Sequence, residues 1–148
     1  MTIRKLMQNH KPLVSVRVDQ TAFDAVVQMT GAGVGAVLVL DEAGKIVGIF
    51  TERDCMQKVT RAGLDPKATP VQSVMTSNVR YAKLDQPIEE CMRLMTERHF
   101  RHLPVLDDQQ QILGIVSIGD LVKARLVEQE FVIGQMENYI SDSLPVNR

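Results

Sequence analysis

Apolar residues along this chain come in short blocks of distinct periodicity, and the blocks recur in a fixed order. Val14-Ser15-Val16-Arg17-Val18 alternates, the pattern of a strand with one buried face. Asp19-Gln20-Thr21 offers helix-capping side chains. Ala22, Phe23, Ala25, Val26, Val27 and Met29 then follow at helical spacing until the Gly31 to Gly33 region. Gly35-Ala36-Val37-Leu38-Val39-Leu40 is continuously apolar and predicts a strand buried on both faces. Asp41-Glu42-Ala43-Gly44-Lys45 predicts a turn, and Ile46-Val47-Gly48-Ile49-Phe50 its hairpin partner. A second helix is expected from Thr51 to about Ala62, closed by Gly63, with Pro66 and Pro70 in a linker.

The same order then repeats: a short strand over 79–84, a helix over 87–98, a hairpin of 101–106 and 112–116, and a helix from 117 to about 126. Val39-Leu40-Asp41, Ile46, Gly48, Ile49, Thr51 and Asp54 return as Val105-Leu106-Asp107, Ile112, Gly114, Ile115, Ser117 and Asp120, each 66 positions on. Asp19-Gln20 and Met29-Thr30 return at the same offset as Asp85-Gln86 and Met95-Thr96. A gap-free repeat of this kind predicts two copies of one folded unit. The expected fold is α+β: two β-α-β-β-α units, 8–65 and 74–127, packed about a pseudo-twofold axis. Any site on one unit then has a counterpart on the other. Gly48 and Gly114 lie inside predicted strands, which implies close backbone approach to a neighbour or a ligand, or tight helix packing.

The tail departs from the repeat. Phe131, Val132, Met136, Tyr139 and Ile140 share a helical period with Glu128, Glu130, Glu137 and Asn138, so a separate amphipathic helix is expected over 128–142. It either packs on its own domain or meets a partner. Its acidic polar face argues against anionic membrane.

Composition narrows the function classes. The chain of 148 residues holds one domain of ordinary size and is 45% apolar, which argues against disorder. A net charge of −1 and few aromatic residues argue against nucleic acid. No apolar run approaches the roughly 18 residues of a membrane span. The first ten residues do not read as a secretory signal, so the cytoplasm is the expected compartment. Cys55 and Cys91 stand opposite apolar Leu121 and Ala25 in the repeat and read as reduced core thiols. Met29 and Met95 read as core rather than as metal ligands, and no metal site is expected.

The recurring pairs Thr51/Asp54 and Ser117/Asp120 carry the candidate chemistry. A hydroxyl and a carboxylate three positions apart, at a strand-to-helix junction, both sit on the first helical turn. The helix N-terminus suits phosphate, to which Thr51 or Ser117 donates. The carboxylate of Asp54 or Asp120 accepts from two ribose hydroxyls, as acidic residues do in dinucleotide-binding folds. An adenine then slots between apolar strand residues: Val14, Val16, Val37, Ile49, Leu103 and Ile115, with Tyr81 beside them or simply packed. The competing reading is a capping box, in which hydroxyl and acid satisfy only the helix's own N–H groups. Both roles can coexist.

The element order, with Gly48-Ile49-Phe50-Thr51-Glu52-Arg53-Asp54, Gly114-Ile115-Val116-Ser117-Ile118-Gly119-Asp120 and Arg101-His102-Leu103-Pro104-Val105, resembles the cystathionine-β-synthase (CBS) domain family. The likeness runs from about residue 8 to 127 and is to the small stand-alone CBS pairs of bacteria and plant organelles. It implies a regulatory module without catalysis that takes AMP, ADP, ATP or NAD as a regulatory ligand. It further implies a homodimer and a signal passed to an effector protein. It makes Arg101 and His102 phosphate candidates near the cleft between the repeats, and Arg53 and Lys58 beside the first motif support an anionic ligand. Gly119 and Ala124 replace Arg53 and Lys58 in the second copy, so the two sites are expected to differ. No nucleophile–base pair, phosphate loop or metal-ligand spacing supports an enzyme. The alternative is a structural dimerisation module with vestigial sites.

Overall fold

A computed structural model describes residues 1–143. Two three-stranded sheets, each with the order expected from the repeat, form its frame. In the first unit β1 (Ser15–Arg17) pairs in parallel with β2 (Ala36–Leu40), and β2 pairs antiparallel with β3 (Ile46–Thr51). In the second, β4 (Ala82–Lys83), β5 (His102–Leu106) and β6 (Ile112–Ser117) repeat that topology. Even the irregularities recur, with a register shift at Val39/Leu40 and another at Val105/Leu106. Both hairpin turns are built on an aspartate. The Asp41 carboxylate accepts from the N–H groups of Ala43 and Lys45, and Asp107 from those of Gln109 and Gln111, all at 2.8–2.9 Å. The position between the two donors needs a left-handed backbone; Gly44 supplies it cheaply at φ 79°, and Gln110 adopts it at φ 64°.

Helices α2 (Ala22–Ala32) and α4 (Ile88–Arg98) cover one face of each sheet. A Thr21/Asp24 capping box starts α2, and left-handed Gly33 ends it. At the equivalent position His99 takes the left-handed conformation that ends α4. Each unit has its own core. Val16, Ala25, Met29, Val37, Val39 and Phe50 fill the first; Ala82, Ile88, Cys91, Met95, Leu103 and Val105 fill the second. Burial pushes the Cys91 thiol up to about 11, which suits a core thiol that stays protonated. Cys55 is half-buried and also free.

The segments before the two units change places, which moves the expected boundaries. The N-terminal α1 (Ile3–Leu6) packs on the second unit: Ile3 and Met7 join its core, and the N–H groups of Ile3 and Arg4 donate to Gln86 and Leu84. Arg4 also reaches Asp85 and Asp108 at 3.0 Å. Reciprocally, the segment expected as linker packs on the first unit. Val71 and Val74 enter its core, and Val71 N–H donates to Gln20. This exchange explains the strand glycines. A side chain on Gly48 would meet Met75 and the Thr76 carbonyl, and one on Gly114 would meet Met7 and His10.

Two helices differ from expectation. The one after β3 is a single α turn, α3 (Glu52–Asp54), that loosens into π geometry over Cys55–Thr60. The one after β6, α5 (Ile118–Ser143), runs unbroken for 26 residues and absorbs the tail helix that was expected to be separate. No glycine or proline lies at the proposed break near residue 127, so nothing interrupts the backbone ladder there.

Candidate functional site

Cross-strand partners in an antiparallel pair share a face of the sheet. Ala36 faces Thr51 and Leu38 faces Ile49 in the first unit; His102 faces Ser117 and Pro104 faces Ile115 in the second. These residues form the sheet faces turned away from the helices. Two clefts open along them. The larger, about 1130 Å³, is lined by Ile49, Thr51, Glu52, Arg53, Asn78, Val79, Arg80, Thr96, Arg98, His99, Arg101, His102 and Pro104, among others. The smaller, about 520 Å³, is lined by Lys11, Pro12, Leu13, Val14, Thr30, Gly33, Gly35, Ala36, Ile115, Ser117 and Asp120, again with Glu52, Arg101 and His102. The linings interchange under the 66-residue offset: Leu13 with Val79, Val14 with Arg80, Gly33 with His99, Ser117 with Thr51. Each cleft therefore draws on both units, as a pseudo-twofold arrangement requires.

At both strand-to-helix junctions the hydroxyl and carboxylate form a capping box. Thr51 N–H donates to Asp54 Oδ2 at 3.0 Å and Asp54 N–H to Thr51 Oγ1 at 3.2 Å. Ser117 N–H donates to Asp120 Oδ2 at 2.9 Å and Asp120 N–H to Ser117 Oγ at 3.1 Å. Beyond the cap the two acids part. Asp120 is half-buried on the wall of the smaller cleft, and its Oδ1 has no hydrogen-bond partner among the described residues. Asp54 is only 7% exposed and lines neither cleft. Its Oδ2 also accepts from Thr51 Oγ1 at 3.1 Å; its Oδ1 accepts from Thr76 Oγ1 at 3.1 Å and pairs with Lys58 Nζ at 3.0 Å. The expected ribose ligand of the first motif is therefore occupied on both oxygens, and Lys58, expected near phosphate, is committed to it. Ala124 stands where Lys58 would be in the second unit, and His10 where Thr76 would be, so Asp120 meets neither lock.

Thr51 and Arg53 line the larger cleft, Ser117 the smaller, and Arg101 and His102 line both. Arg53 spends one N–H on the His99 carbonyl at 2.7 Å. Burial holds the His102 imidazole below its ordinary value, against the pull of nearby Glu52 and Asp120. Of the expected adenine slot, Val14 and Ile115 meet at the smaller cleft and Ile49 lines the larger. Val16, Val37 and Leu103 do not line a slot; each is at most 2% exposed within its unit's core. For Val37 and Leu103 strand parity is the reason: paired with Phe50 and Val116, they point at the helices. Tyr81 is exposed and lines neither cleft. Sequence reasoning did not single out Glu52, Arg80, Lys11 or Thr76 as site residues. The signal was available for one of them: Arg80 is the repeat equivalent of Val14, which was already placed at the site.

The frame and its paired clefts define a tandem repeat module with a cleft on either side of the junction between its halves. The sequence pattern of the CBS domain matches residues 3–61 and 71–127, and the chain belongs to the CBS domain family. It is 36% identical over 126 residues to the mitochondrial CBS domain-containing protein CBSX3 of Arabidopsis thaliana, a match covering 82% of this chain and 61% of that one. The chain spans between about half and two thirds of the length of the curated relatives it matches first. A protein with CBS domains from Burkholderia ambifaria superimposes with a TM-score of 0.81 at 39% identity, covering 87% of this chain and 96% of that one. A CBS domain pair solved in complex with 5′-methylthioadenosine and S-adenosyl-L-methionine shares the fold, with a TM-score of 0.71 at 23% identity over 88% of this chain and 98% of that one.

Proposed function

We propose that this protein is a regulatory module that binds an adenine nucleotide of the AMP, ADP, ATP or NAD type and passes the event to a partner protein. One observation carries the reading: Asp120 presents an unengaged carboxylate oxygen to a cleft that also holds Ser117, apolar Val14 and Ile115, and the guanidinium of Arg101. That set provides a ribose acceptor, a phosphate donor, an apolar slot and a cation. The adenosine compounds bound by the CBS pair of the same fold agree with it.

The output runs along α5. Ser117 and Asp120 form the start of this helix, and its far end exposes Phe131, Val132, Ile133, Met136 and Tyr139. A helix of this length spans roughly 39 Å at 1.5 Å per residue. A ligand that prefers one setting of its first turn shifts the population of tail positions by that preference. The apolar tail is the proposed seat of homodimerisation, and turnover of the ligand is no part of the mechanism. The cytoplasm remains the proposed compartment. No helix among the described residues is long and apolar enough to cross a membrane.

A thermal-shift panel of adenosine, AMP, ADP, ATP and NAD tests the reading. A ligand at about 100 times its Kd adds roughly 2.7 kcal/mol to folding stability. A flat response to all five compounds sinks it in favour of a structural dimerisation module, the reading that the exposed tail also supports.

A further inference from the structure

The two clefts share a wall, since Glu52, Arg101, His102 and Ile118 line both. Their charges are unlike. The smaller cleft sets Lys11 and Arg101 against Glu52 and Asp120, an even balance. The larger sets Arg53, Arg80, Arg98 and Arg101 against Glu52 alone. Arg80, Arg98 and Arg101 form no ion pair and no side-chain hydrogen bond with any described residue. Unneutralised guanidiniums converging on one concave surface raise the local potential and favour a polyanion. The larger cleft nevertheless lacks a ribose grip, because Asp54 is sealed behind Thr76 and Lys58. It offers phosphate contacts without a sugar contact, and its neighbour offers a sugar contact with few phosphate contacts.

Resting on the adenine-nucleotide reading above, we infer that the clefts form one bipartite site for a single nucleotide bearing two or three phosphates. The nucleoside sits in the smaller cleft on Asp120. Its phosphate chain crosses the shared wall at Arg101 and His102 and ends on Arg80 and Arg98 in the larger cleft. The stoichiometry is then one nucleotide per chain, and affinity climbs with phosphate number. A second nucleoside seated in the larger cleft would have to displace Thr76 and Lys58 from Asp54 to gain a comparable ribose contact.

Isothermal titration of the whole chain with adenosine, AMP, ATP and inorganic tripolyphosphate tests this inference. ATP should bind one per chain and at least about 100-fold more tightly than adenosine, the equivalent of two tenfold steps. The double variant Arg80→Ala/Arg98→Ala alters only exposed side chains. It should cost ATP about tenfold or more and leave adenosine unchanged. Tripolyphosphate should compete with ATP but bind more weakly, because it lacks the nucleoside contact. Asp120→Asn should weaken adenosine and ATP together. Two ATP molecules per chain, equal losses of ATP and adenosine in the arginine variant, or tripolyphosphate matching ATP would each overturn the bipartite site while adenosine binding on Asp120 stands. If adenosine and ATP both fail to bind, this inference falls; the functional reading falls with it when AMP, ADP and NAD fail as well.

Discussion

The two motif aspartates, alike in sequence, should separate cleanly when each is truncated to alanine. Asp54→Ala removes the acceptor for Thr51 N–H, for Thr51 Oγ1 and for Thr76 Oγ1. At about 1 kcal/mol net for each hydrogen bond, that comes to roughly 3 kcal/mol. The Lys58 pair adds less than about 1 kcal/mol, because the lysine is partly in solvent and the interaction is screened. Asp120→Ala removes only the acceptor for Ser117 N–H and should cost about 1 kcal/mol.

Urea titration of the ligand-free variants reads the difference. For a slope of about 2 kcal/mol per molar urea, the Asp54 variant should melt roughly 1.5 M earlier than the parent and the Asp120 variant roughly 0.5 M earlier. Adenosine titration of the folded variants should rank them the other way, with Asp120→Ala losing affinity and Asp54→Ala keeping it. Equal destabilisation by the two changes would refute the lock on Asp54. So would an Asp54→Ala protein that folds as well as the parent but no longer binds adenosine.

Three further outcomes follow from the geometry. His102 has a folded-state pKa held below 6.5 by burial; Glu52, Asp120 and Asp54 oppose the shift and Arg101 reinforces it. The unfolded chain therefore binds more protons, so stability present at neutral pH falls as pH drops through that value; the urea midpoint of the parent should fall more steeply between pH 7.5 and 5.5 than that of His102→Gln, and parallel curves would remove the effect. Gly48→Ala would place its Cβ 2.5 Å from Met75 Sδ and 2.9 Å from the Thr76 backbone carbonyl, whereas at Gly114 the nearest atom, at 2.7 Å, is the terminal methyl of the flexible Met7 side chain, and no backbone atom lies among the three nearest. The first change should cost about 1–3 kcal/mol by overpacking and the second less, and the reverse order in chemical denaturation would count against the exchanged segments. Met136→Glu should shift the protein from dimer to monomer in sedimentation velocity without moving its melting temperature by more than a degree or two; a parent that sediments as a monomer at tens of micromolar would dispose of the tail interface.

How much of this was legible in the sequence depends on what each feature rests on. The sheets, hairpins and pseudo-equivalence were readable because the repeat has no gaps and because hydrophobic period reports local backbone geometry directly. The junction motifs were readable for the same reason. The face of each strand was not: β2 and β5 are buried on both sides, so an apolar run carries no mark of which residues meet the helices and which meet the other unit. Val37 and Leu103 were misplaced for that reason. Nor does periodicity show that residues 3–9 and 71–74 would pack on the opposite unit, since their short apolar segments fit either core.

The departures from the repeat make the two clefts chemically unlike. A perfect repeat gives two equal clefts; replacing Thr76 by His10 and Lys58 by Ala124 at equivalent positions leaves one carboxylate locked and the other open. Replacing Val14 by Arg80, and Ala32 by Arg98, puts the surplus positive charge on the side of the locked acid. These exchanges act together. On the proposed reading, a cleft that gained only the arginines would attract a second nucleotide, and one that gained only the lock would be left with neither sugar nor phosphate contact. Having both is what the proposed bipartite site requires: the larger cleft then extends the smaller one, with the wall at Arg101 and His102 as the crossing point. The unit proposed to grip the nucleoside is also the one whose motif opens the long helix α5, so in that proposal the same asymmetry selects which helix carries the signal outward.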